Sequence, residues 1–360
     1  MLISLIGPPG SGKASVAHYL ATQHGFEVLC TDNGICDALT AFGLSATSCG
    51  DEKAMLDLVT DRWHERFVTL DLTTVPDMEA FIKRPFFLCV EVGAPLLTRW
   101  KRYQAKHRSL PLEKFVALDD EIAFGKSTAQ ASARQPLVRS GSSAMGGNGI
   151  VDNLASVSIS SPSAGLAALR RYVHVSIIND FPDRDSLYSH LSSLNLPSEE
   201  RLRPCWDSYF LKLCNLASLR SNCMKRRVGA VLVSSNRIIS TGYNGTPSGL
   251  LNCNQGGCAR CNNTLEKGAS GCGQNLDECL CLHAEENALL EAGRQKISTG
   301  QEGKGATMYC NTCPCLRCAV KIIQSGIRTV VYQLEYSMDA RTKAIFAQAG
   351  VEIRQFHLDT

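Results

Sequence analysis

The sequence lacks three features that would place it among membrane, secreted or nucleic-acid-binding proteins. Its 360 residues contain no apolar run that approaches the ~20 residues of a membrane-spanning helix. The first residues, MLISLIGPPGSGK, lack the basic leader of a secretory signal peptide. Basic runs are short, such as Lys225-Arg226-Arg227, and the net charge is only +3. We therefore predict a globular cytoplasmic protein that binds neither membranes nor nucleic acid, with entry into the nucleus left open.

Cysteine is abundant, but its distribution is not that of a disulfide-rich secreted protein. Thirteen of the 17 cysteines lie after residue 200, and several form close pairs such as Cys258/Cys261 and Cys315/Cys318. Pairs at this spacing are typical of metal sites. The pattern predicts reduced thiols in an intracellular protein.

The order of apolar and polar segments predicts two domains. Residues 1–196 alternate short apolar runs with helical stretches, which favours a P-loop-type α/β domain with a parallel sheet. A Ser/Ala/Gly-rich stretch at about 125–165 has no periodicity, and we predict a flexible insert there. Residues 197–360 show a helix, a strand pair around a Ser-Asn turn, and then alternating helices and strands. This order predicts a mixed sheet with helices on both faces.

A phosphate-loop pattern lies at the start of the first domain. Gly7 to Lys13 (GPPGSGK) fits GxxxxGK and lies between a predicted strand and a predicted helix, where backbone N–H groups cradle phosphates. Gly12 and Lys13 are the candidate phosphate-binding residues. Ala14 stands where a Ser or Thr hydroxyl would reach Mg²⁺. An active kinase, a nucleotide-binding regulatory domain and a degenerate scaffold stay open, although the missing hydroxyl disfavours the kinase.

The most informative pattern in the second domain is His283-Ala-Glu285 followed by Pro-Cys315-x-x-Cys318. One imidazole and two thiolates give Zn²⁺ three protein ligands and leave the fourth position for water, as catalytic sites require. Bound zinc brings the pKa of that water near neutrality. Glu285, two residues after a ligand, would then move protons, as in nucleobase deaminases. The alternative is a closed structural site that also uses Cys313.

Predicted helix starts favour the catalytic arrangement. His283 lies at the start of one predicted helix, and Cys315 and Cys318 lie at the start of the next. Because helix N-termini carry partial positive charge, they stabilise thiolates. Three ligands from two helix starts can therefore meet at one ion.

Further cysteines exceed the needs of that site. We predict a second, structural zinc at Cys223, Cys253, Cys258 and Cys261, and the choice of four ligands stays open because three more cysteines follow. These three are Cys272, Cys279 and Cys281. The alternative for Cys223 is a small buried hydrophobic residue.

One asparagine follows a predicted strand. Asn244, in the stretch GYNGTP, sits in a sequence of turn-forming residues. Its amide would also be placed to contact the sugar or base of a substrate near the metal. Both interpretations stay open.

Residues 204 to the end closely resemble the deoxycytidylate (dCMP) deaminases, in particular the fungal ones. The stretches that carry the resemblance include SNCMKRRVGAVLV, IISTGYNGTP, NCNQGGCARCN, CLCLHAEENALLEAGR and CNTCPCLRC. The resemblance implies a cytidine-deaminase-like three-layer α/β/α fold, hydrolysis of dCMP to dUMP and ammonia for thymidylate synthesis, a hexamer, activation by dCTP and inhibition by dTTP. It also implies that His283, Cys315 and Cys318 bind zinc, that Glu285 shuttles protons and that Asn244 contacts substrate.

The N-terminal region resembles small P-loop kinases such as dephospho-coenzyme A kinase. The stretches GPPGSGK and APLLTRWKRY carry this resemblance, and it implies that Arg99 and Arg102 lie near bound phosphate. Two rival functions stay open. A polynucleotide-editing deaminase would need a basic, aromatic-lined channel, which the sequence does not indicate. A P-loop nucleotide kinase with a structural zinc domain is disfavoured by Glu285 and Ala14.

Overall fold

The protein is described by a computed structural model over residues 1–31, 33–106, 110–125, 165–265, 274–298, 305–335 and 340–358. The chain forms two compact units, Met1–Arg203 and Pro204–Thr360. Most of the predicted flexible insert and Cys272 lie outside the described residues.

The first unit contains a parallel sheet, as the alternation of strands and helices predicts. Its strands are β1 (Leu2–Ile6), β2 (Glu27–Cys30), β3 (Ala46–Ser48), β4 (Phe67–Thr69), β5 (Phe87–Gly93) and β6 (Val175–Ile178). Its helices are α1 (Lys13–His24), α2 (Asn33–Ala41), α3 (Glu52–Asp61), α4 (Val75–Phe81), α5 (Leu96–Lys106), α6 (Leu112–Phe124), α7 (Leu166–Leu169) and α8 (Arg184–Leu194). The strand order is β3-β2-β4-β1-β5-β6, and every neighbouring pair is parallel.

Both faces of this sheet are covered. All five residues of β1 are buried, which fits a central strand of a parallel sheet. Ile3 and Leu5 pack in one apolar cluster with residues of α1 and α8, and Leu2 and Ile6 pack in another with residues of α3 and α4. Successive residues of β1 therefore pack alternately into two apolar cores, one on each face of the sheet.

Strand β1 also lies at the point where the order of the strands in the sheet reverses. β2, β3 and β4 lie on one side of β1, and β5 and β6 lie on the other. In open α/β sheets, the crevice at the carboxyl end of such a strand is the usual place for a ligand. The loop from Gly7 to Gly12 leaves β1 at this end and enters α1.

The expectation that all cysteines are thiols is wrong for one pair in the first unit. Cys30, the last residue of β2, forms a disulfide with Cys36 in α2. The two residues are only six positions apart, and the turn between strand and helix brings their Cα atoms to 5.9 Å, within the range that a disulfide spans.

The second unit contains a mixed sheet. Its elements in chain order are α9 (Trp206–Ser218), β7 (Gly229–Ser234), β8 (Arg237–Tyr243), α10 (Ala284–Ser298), β9 (Thr307–Thr312), α11 (Leu316–Gln324), β10 (Thr329–Leu334), α12 (Ala340–Gln348) and β11 (Glu352–Gln355). The strand order is β11-β10-β9-β7-β8. β7 pairs antiparallel with β8 and β9, whereas β9, β10 and β11 run parallel.

This sheet forms the middle of three layers, as predicted. On one face, Phe210 and Leu211 of α9 pack with Val231 and Tyr309. On the other face, helices α10, α11 and α12 pack on alternate residues of the same strands, such as Leu232. The side that carries α10 and α11 is the side of the predicted zinc ligands.

The predicted tight turn between β7 and β8 is confirmed. Ser235 and Asn236 have φ values of 49° and 60°, and they alone separate the two strands. Two successive residues with positive φ are typical of a type I′ turn, whose twist matches that of the flanking strands.

A glycine allows α10 to lie close to β8. A Cβ atom at Gly242 would lie 2.1 Å from the carbonyl oxygen of Ala284 and 2.5 Å from the backbone nitrogen of Ala288. Any larger residue would therefore push the first turns of α10 away from the sheet. Within the described parts of the chain, no helix has both the length and the apolar character needed to cross a bilayer.

Candidate metal centre and active site

The three predicted zinc ligands come together in the second unit. The Nδ1 atom of His283 lies 3.4 Å from Sγ of Cys315 and 3.3 Å from Sγ of Cys318. The three donor atoms all lie within 4.8 Å of one another. A tetrahedral zinc ion with bonds of about 2.0–2.3 Å needs donor atoms at such separations, so the residues present fit the ion.

The helix starts supply this geometry, as predicted. His283 directly precedes α10, Cys315 is the N-cap of α11, and Cys318 lies in the first turn of α11. Among the residues that the structure describes, the group has three members. Cys313 is buried outside it and its thiol points to the carbonyl of Pro314, so the closed four-ligand alternative gains no support.

The three candidate ligands are in hydrogen-bond contact and therefore influence one another's pKa. A hydrogen bond from Cys318 lowers the pKa of Cys315 to about 3, with His283 adding to the effect. The same contact raises the pKa of Cys318, and hydrogen bonding to Cys315 raises the pKa of His283 to about 9. These contacts favour the thiolate form of Cys315, and a bound zinc ion would displace the protons that the three groups share.

Glu285 is a buried carboxylate beside these ligands. Only 3% of it is exposed, although it belongs to the first turn of a helix. Burial raises its pKa to about 7, against the opposite effects of a backbone hydrogen bond and of His283. A carboxyl with a pKa near neutrality can both accept and release a proton under physiological conditions. Its neighbour Glu286 forms an ion pair with Lys321 and is less buried.

Asn244 is buried and its amide is bound to the chain. Its Oδ1 accepts hydrogen bonds from the Ser221 hydroxyl at 2.7 Å and from the Val228 backbone N–H at 2.8 Å. Its Nδ2 donates to the Arg226 carbonyl at 2.8 Å. In this structure Asn244 therefore holds the segment before β7 against the end of β8. Its predicted contact with substrate stays a prediction.

Sequence reasoning missed Ser221. Its hydroxyl contacts both the side chain and the backbone carbonyl of Asn244. Asn311 was also missed, although it is buried and its Oδ1 accepts from the backbone N–H of Gly229 at 3.0 Å. Neither residue belongs to a recognisable spacing pattern, because each acts across a distance of many residues.

Six further cysteines form one cluster, which we call the cysteine cluster. They are Cys223, Cys253, Cys258, Cys261, Cys279 and Cys281. Two overlapping groups within it have donor atoms within 4.8 Å of one another. The first is Cys223, Cys253, Cys261 and Cys281, and the second is Cys258, Cys261, Cys279 and Cys281. Of the four predicted ligands of a second zinc, three fall in the first group, and the structure places Cys258 in the second.

The loop that carries these cysteines turns through two glycines. Gly256 has a φ of +94°, in the left-handed region, and a Cβ atom at Gly257 would lie 1.8 Å from the Leu251 carbonyl oxygen. Because only glycine fits both positions, the loop can fold back and bring Cys253 close to Cys258 and Cys261.

A short bridge connects the cysteine cluster to the candidate catalytic residues. Leu282 lies between Cys281 and His283, and it pairs with Gly245 in an isolated antiparallel bridge. The N–H of Leu282 donates to the Gly245 carbonyl at 2.8 Å, and the N–H of Gly245 donates back at 3.2 Å. The backbone is therefore fixed before His283 by this bridge and after it by helix α10.

The phosphate-loop pattern of the first unit forms a compact turn. The Nζ atom of Lys13 donates to the carbonyls of Gly7 and Pro8, and burial, with nearby Arg99, lowers the pKa of Lys13 to about 8. Gly12 has a φ of +99°, and a Cβ atom there would lie 2.2 Å from Nδ2 of Asn179. The packing alone thus requires this glycine, whether or not phosphate binds.

The two arginines named with the loop have partners within the first unit. Arg99 forms two hydrogen bonds with Asp119, at 2.5 and 2.8 Å, and both residues are largely buried. Arg102 donates to the carbonyls of Asn179 and Phe181, each at 3.1 Å. Their predicted role at phosphate stays a prediction.

Comparison with known proteins places the chain in a class and then in a family. Residues 204–334 match the family described as the cytidine and deoxycytidylate deaminase zinc-binding region. The second unit thus has a cytidine-deaminase-like α/β fold with a zinc-binding deaminase site. The deoxycytidylate deaminase of Schizosaccharomyces pombe is 40% identical over 98% of this chain and 97% of that protein. That of Saccharomyces cerevisiae is 36% identical over 99% of this chain and 96% of that protein.

The chain therefore belongs to the deoxycytidylate deaminase family, and the likeness to both yeast proteins includes the first unit. The crystal structure of dCMP deaminase from cyanophage S-TIM5 in complex with dCMP and dUMP is 31% identical, with a TM-score of 0.31, over 41% of this chain and 94% of that chain.

Proposed function

We propose that His283, Cys315 and Cys318 hold a catalytic zinc ion and that Glu285 is the proton shuttle in the hydrolysis of dCMP to dUMP and ammonia. The observation that carries this proposal is a buried carboxylate beside three convergent zinc-ligand atoms. The family supplies the substrate, because its full-length relatives are named deoxycytidylate deaminases.

The roles of the residues follow from the reaction. Zinc, when bound, supplies a water acidic enough to act as a nucleophile near neutral pH. Glu285 accepts a proton of the attacking water and delivers it to the ring N3. It later helps to protonate the departing ammonia, so that one water is consumed for each ammonia released. The pKa of Glu285, about 7, suits a group that must act in both directions.

Asn244 would assist by holding the substrate end of the site. Its Oδ1 and Nδ2 already bind the chain. The amide is therefore fixed in orientation, and a substrate contact would use its remaining hydrogen-bonding capacity. Supply of dUMP for thymidylate synthesis, assembly into hexamers, activation by dCTP and inhibition by dTTP complete the proposal, and they rest on the resemblance of the sequence to the deoxycytidylate deaminases.

For the first unit, we propose phosphate binding without phosphoryl transfer. Its support is the position of the loop after β1, where the strand order changes side, and the lysine at its end. Ala14 provides no hydroxyl for Mg²⁺, which disfavours a kinase. Gly12 and Lys13 would be the phosphate contacts.

Ammonia release from dCMP, deoxycytidine and a cytosine-containing oligonucleotide tests the proposal. We expect zinc-loaded enzyme to act on dCMP and the variant Glu285→Gln to lose activity by roughly 10³-fold, since general acid–base groups contribute factors of this size. Glu286→Gln is the matched control, because it makes the same change one residue away at a glutamate paired with Lys321.

The other outcomes are equally informative. Activity on the oligonucleotide alone would identify an editing deaminase, and full activity of Glu285→Gln would remove Glu285 from the mechanism. No activity on any substrate, with dCTP and Mg²⁺ present, would leave the first unit as the place to look for chemistry.

A further inference from the structure

We propose that the cysteine cluster holds two metal ions bridged by shared thiolates, with Cys261 and Cys281 as the bridging ligands. Each ion would have two ligands of its own, Cys223 and Cys253 for one, and Cys258 and Cys279 for the other. This inference extends the second zinc that the sequence predicts, and it does not depend on the deaminase reaction. Zn²⁺ is the ion expected in an all-thiolate, tetrahedral site.

The overlap of the two candidate groups carries the inference. Each group contains four cysteines, and both contain Cys261 and Cys281. A single ion can occupy only one group at a time. It would leave unused the two cysteines that belong to the other group alone. Two ions that share two sulfurs use all six cysteines, and each ion obtains the four ligands that structural zinc requires.

The distances between sulfur atoms fit this arrangement. Cys261 lies 3.9 Å from Cys223, 3.7 Å from Cys279 and 4.0 Å from Cys281, and Cys258 lies 4.0 Å from Cys279. Bonds of about 2.3 Å to a tetrahedral zinc place two sulfurs about 3.8 Å apart. Disulfide bonding would need about 2.05 Å, and all six cysteines are free.

Burial argues against leaving two of these thiols unused. Cys253 and Cys258 are fully buried, and Cys261 and Cys281 are at most 8% exposed. A lone thiol is a tolerable buried group. Each group, however, also holds two cysteines that the other group does not share. An ion bound in each group explains why these thiols lie together, because ion binding supplies folding free energy.

The surroundings of the cluster suit negatively charged sulfur. The backbone N–H of Met224 points to Sγ of Cys253 at 3.4 Å, and Nη1 of the buried Arg260 lies 4.0 Å from Sγ of Cys261.

The side chain of Asn262 connects the two ligand groups. It donates to the carbonyls of Cys253 and Cys258, at 2.8 and 2.9 Å. Six thiolates with two zinc ions carry a charge of −2, which Arg260 partly balances. Partners of this kind orient metal ligands.

The zinc content of the full chain gives the first test. We expect three zinc ions per chain in protein purified under reducing conditions, by elemental analysis and native mass spectrometry. His283→Ala should reduce the count to two by removing the catalytic ion. Two ions in the wild type and one in His283→Ala would overturn the bridged pair while keeping a single structural zinc. One ion in the wild type would overturn both.

A matched pair of double variants locates the ions. Cys223→Ser with Cys253→Ser, and Cys258→Ser with Cys279→Ser, should each lose at least one zinc ion, because each removes the private ligands of one site. If either double variant keeps the full wild-type count, the cluster holds one ion in the other group, and the proposal is wrong.

Cadmium substitution of the wild type avoids variants that fail to fold. With ¹¹³Cd in the cluster, two ions that share a thiolate should show mutual scalar coupling in the ¹¹³Cd NMR spectrum. Two or more cadmium resonances without coupling would overturn the shared sulfurs, whatever the count of ions.

Discussion

At the scale of single residues, the position of Glu285 combines two properties that usually oppose each other. It belongs to the first turn of a helix, where a carboxylate is stabilised, yet it is almost completely buried. Burial is the larger effect and raises its pKa to about 7. Glu286, one residue on, is paired with Lys321 and shows no comparable burial. The direction of one side chain therefore separates a candidate proton shuttle from an ordinary helix glutamate.

Asn244 gives a prediction for stability at this scale. Asn244→Ala removes three hydrogen bonds and leaves the Val228 N–H and the Arg226 carbonyl without this partner, so we expect a loss of about 2–3 kcal/mol in the free energy of unfolding. Asn215→Ala is the control, because the Asn215 amide bonds to Gln333 on the same unit and is less buried. Denaturant unfolding measures both variants.

The same variant separates two roles of Asn244. A purely structural role predicts that the folded fraction keeps its KM for dCMP, whereas a substrate contact predicts a higher KM as well. An unchanged unfolding free energy would contradict the structural role.

Lys13 gives a prediction for pH dependence. Its pKa of about 8 lies below the ordinary value of a lysine because burial and Arg99 disfavour the charged amine. Bound phosphate would favour the charge and raise the pKa. Affinity for inorganic pyrophosphate should therefore be full below about pH 8 and fall as the pH rises above it, by up to about tenfold per pH unit.

Calorimetric titration from about pH 7 to about pH 9.5 measures this fall. Lys13→Met should abolish binding, and Lys53→Met, at an exposed position of α3, should leave the profile unchanged. Affinity that does not change with pH, or that survives Lys13→Met, would contradict phosphate binding by Lys13.

At the scale of elements, the contact between α10 and β8 determines where His283 and Glu285 lie. The helix can approach the strand because Gly242 has no side chain. Since His283 directly precedes α10 and Glu285 lies in its first turn, a shift of this helix moves both away from Cys315 and Cys318.

Gly242→Ala tests this contact. A Cβ atom 2.1 Å from the Ala284 carbonyl oxygen forces the helix outward, so we expect destabilisation of about 1–3 kcal/mol and a marked loss of kcat. Gly93→Ala on β5 is the control, because a Cβ atom there meets only the Ile177 carbonyl oxygen, at 3.8 Å. Unchanged kcat in Gly242→Ala would show that the start of α10 tolerates displacement.

The elements also show what sequence can and cannot predict here. The meeting of His283, Cys315 and Cys318 was predictable, because each lies at or next to a helix start and the motifs are local. The division of the cysteine cluster was not predictable, since the fold places Cys258 in the second group only and brings the distant Cys281 into both groups. Strands β3 and β4 have only three residues each, too few to give a periodicity. The partners of the Asn244 side chain lie together in the segment before β7, 16 to 23 residues earlier in the chain, and no spacing pattern connects them to it.

At the scale of the whole molecule, the two units contain different candidate sites. The second unit contains every candidate metal group in the described part of the chain, and the first contains the phosphate-loop pattern. Each unit has its own apolar cores. Their stabilities should therefore depend on separate conditions.

Calorimetry after removal of zinc tests this separation. Structural zinc contributes directly to folding free energy. A strong chelator should therefore lower the midpoint temperature of the second unit's unfolding transition by on the order of 10 °C. The transition of the first unit should keep its midpoint temperature when the chelator is added. That midpoint temperature should rise when pyrophosphate is added. A single transition that moves with either ligand would show that the units unfold together.

Only Leu282 separates the cysteine cluster from His283, and its pairing with Gly245 fixes the backbone between them. This has a practical meaning for protein engineering. The stretch from Cys253 to Cys281 carries five of the six cysteines of the cluster, so a designer of a smaller or cysteine-poor enzyme would trim it. Trimming it would remove the cysteine cluster directly before Leu282 and leave the backbone at His283 to be held by the bridge to Gly245 without that support. A minimal version of this enzyme must therefore keep the loop or replace it with another rigid anchor just before His283.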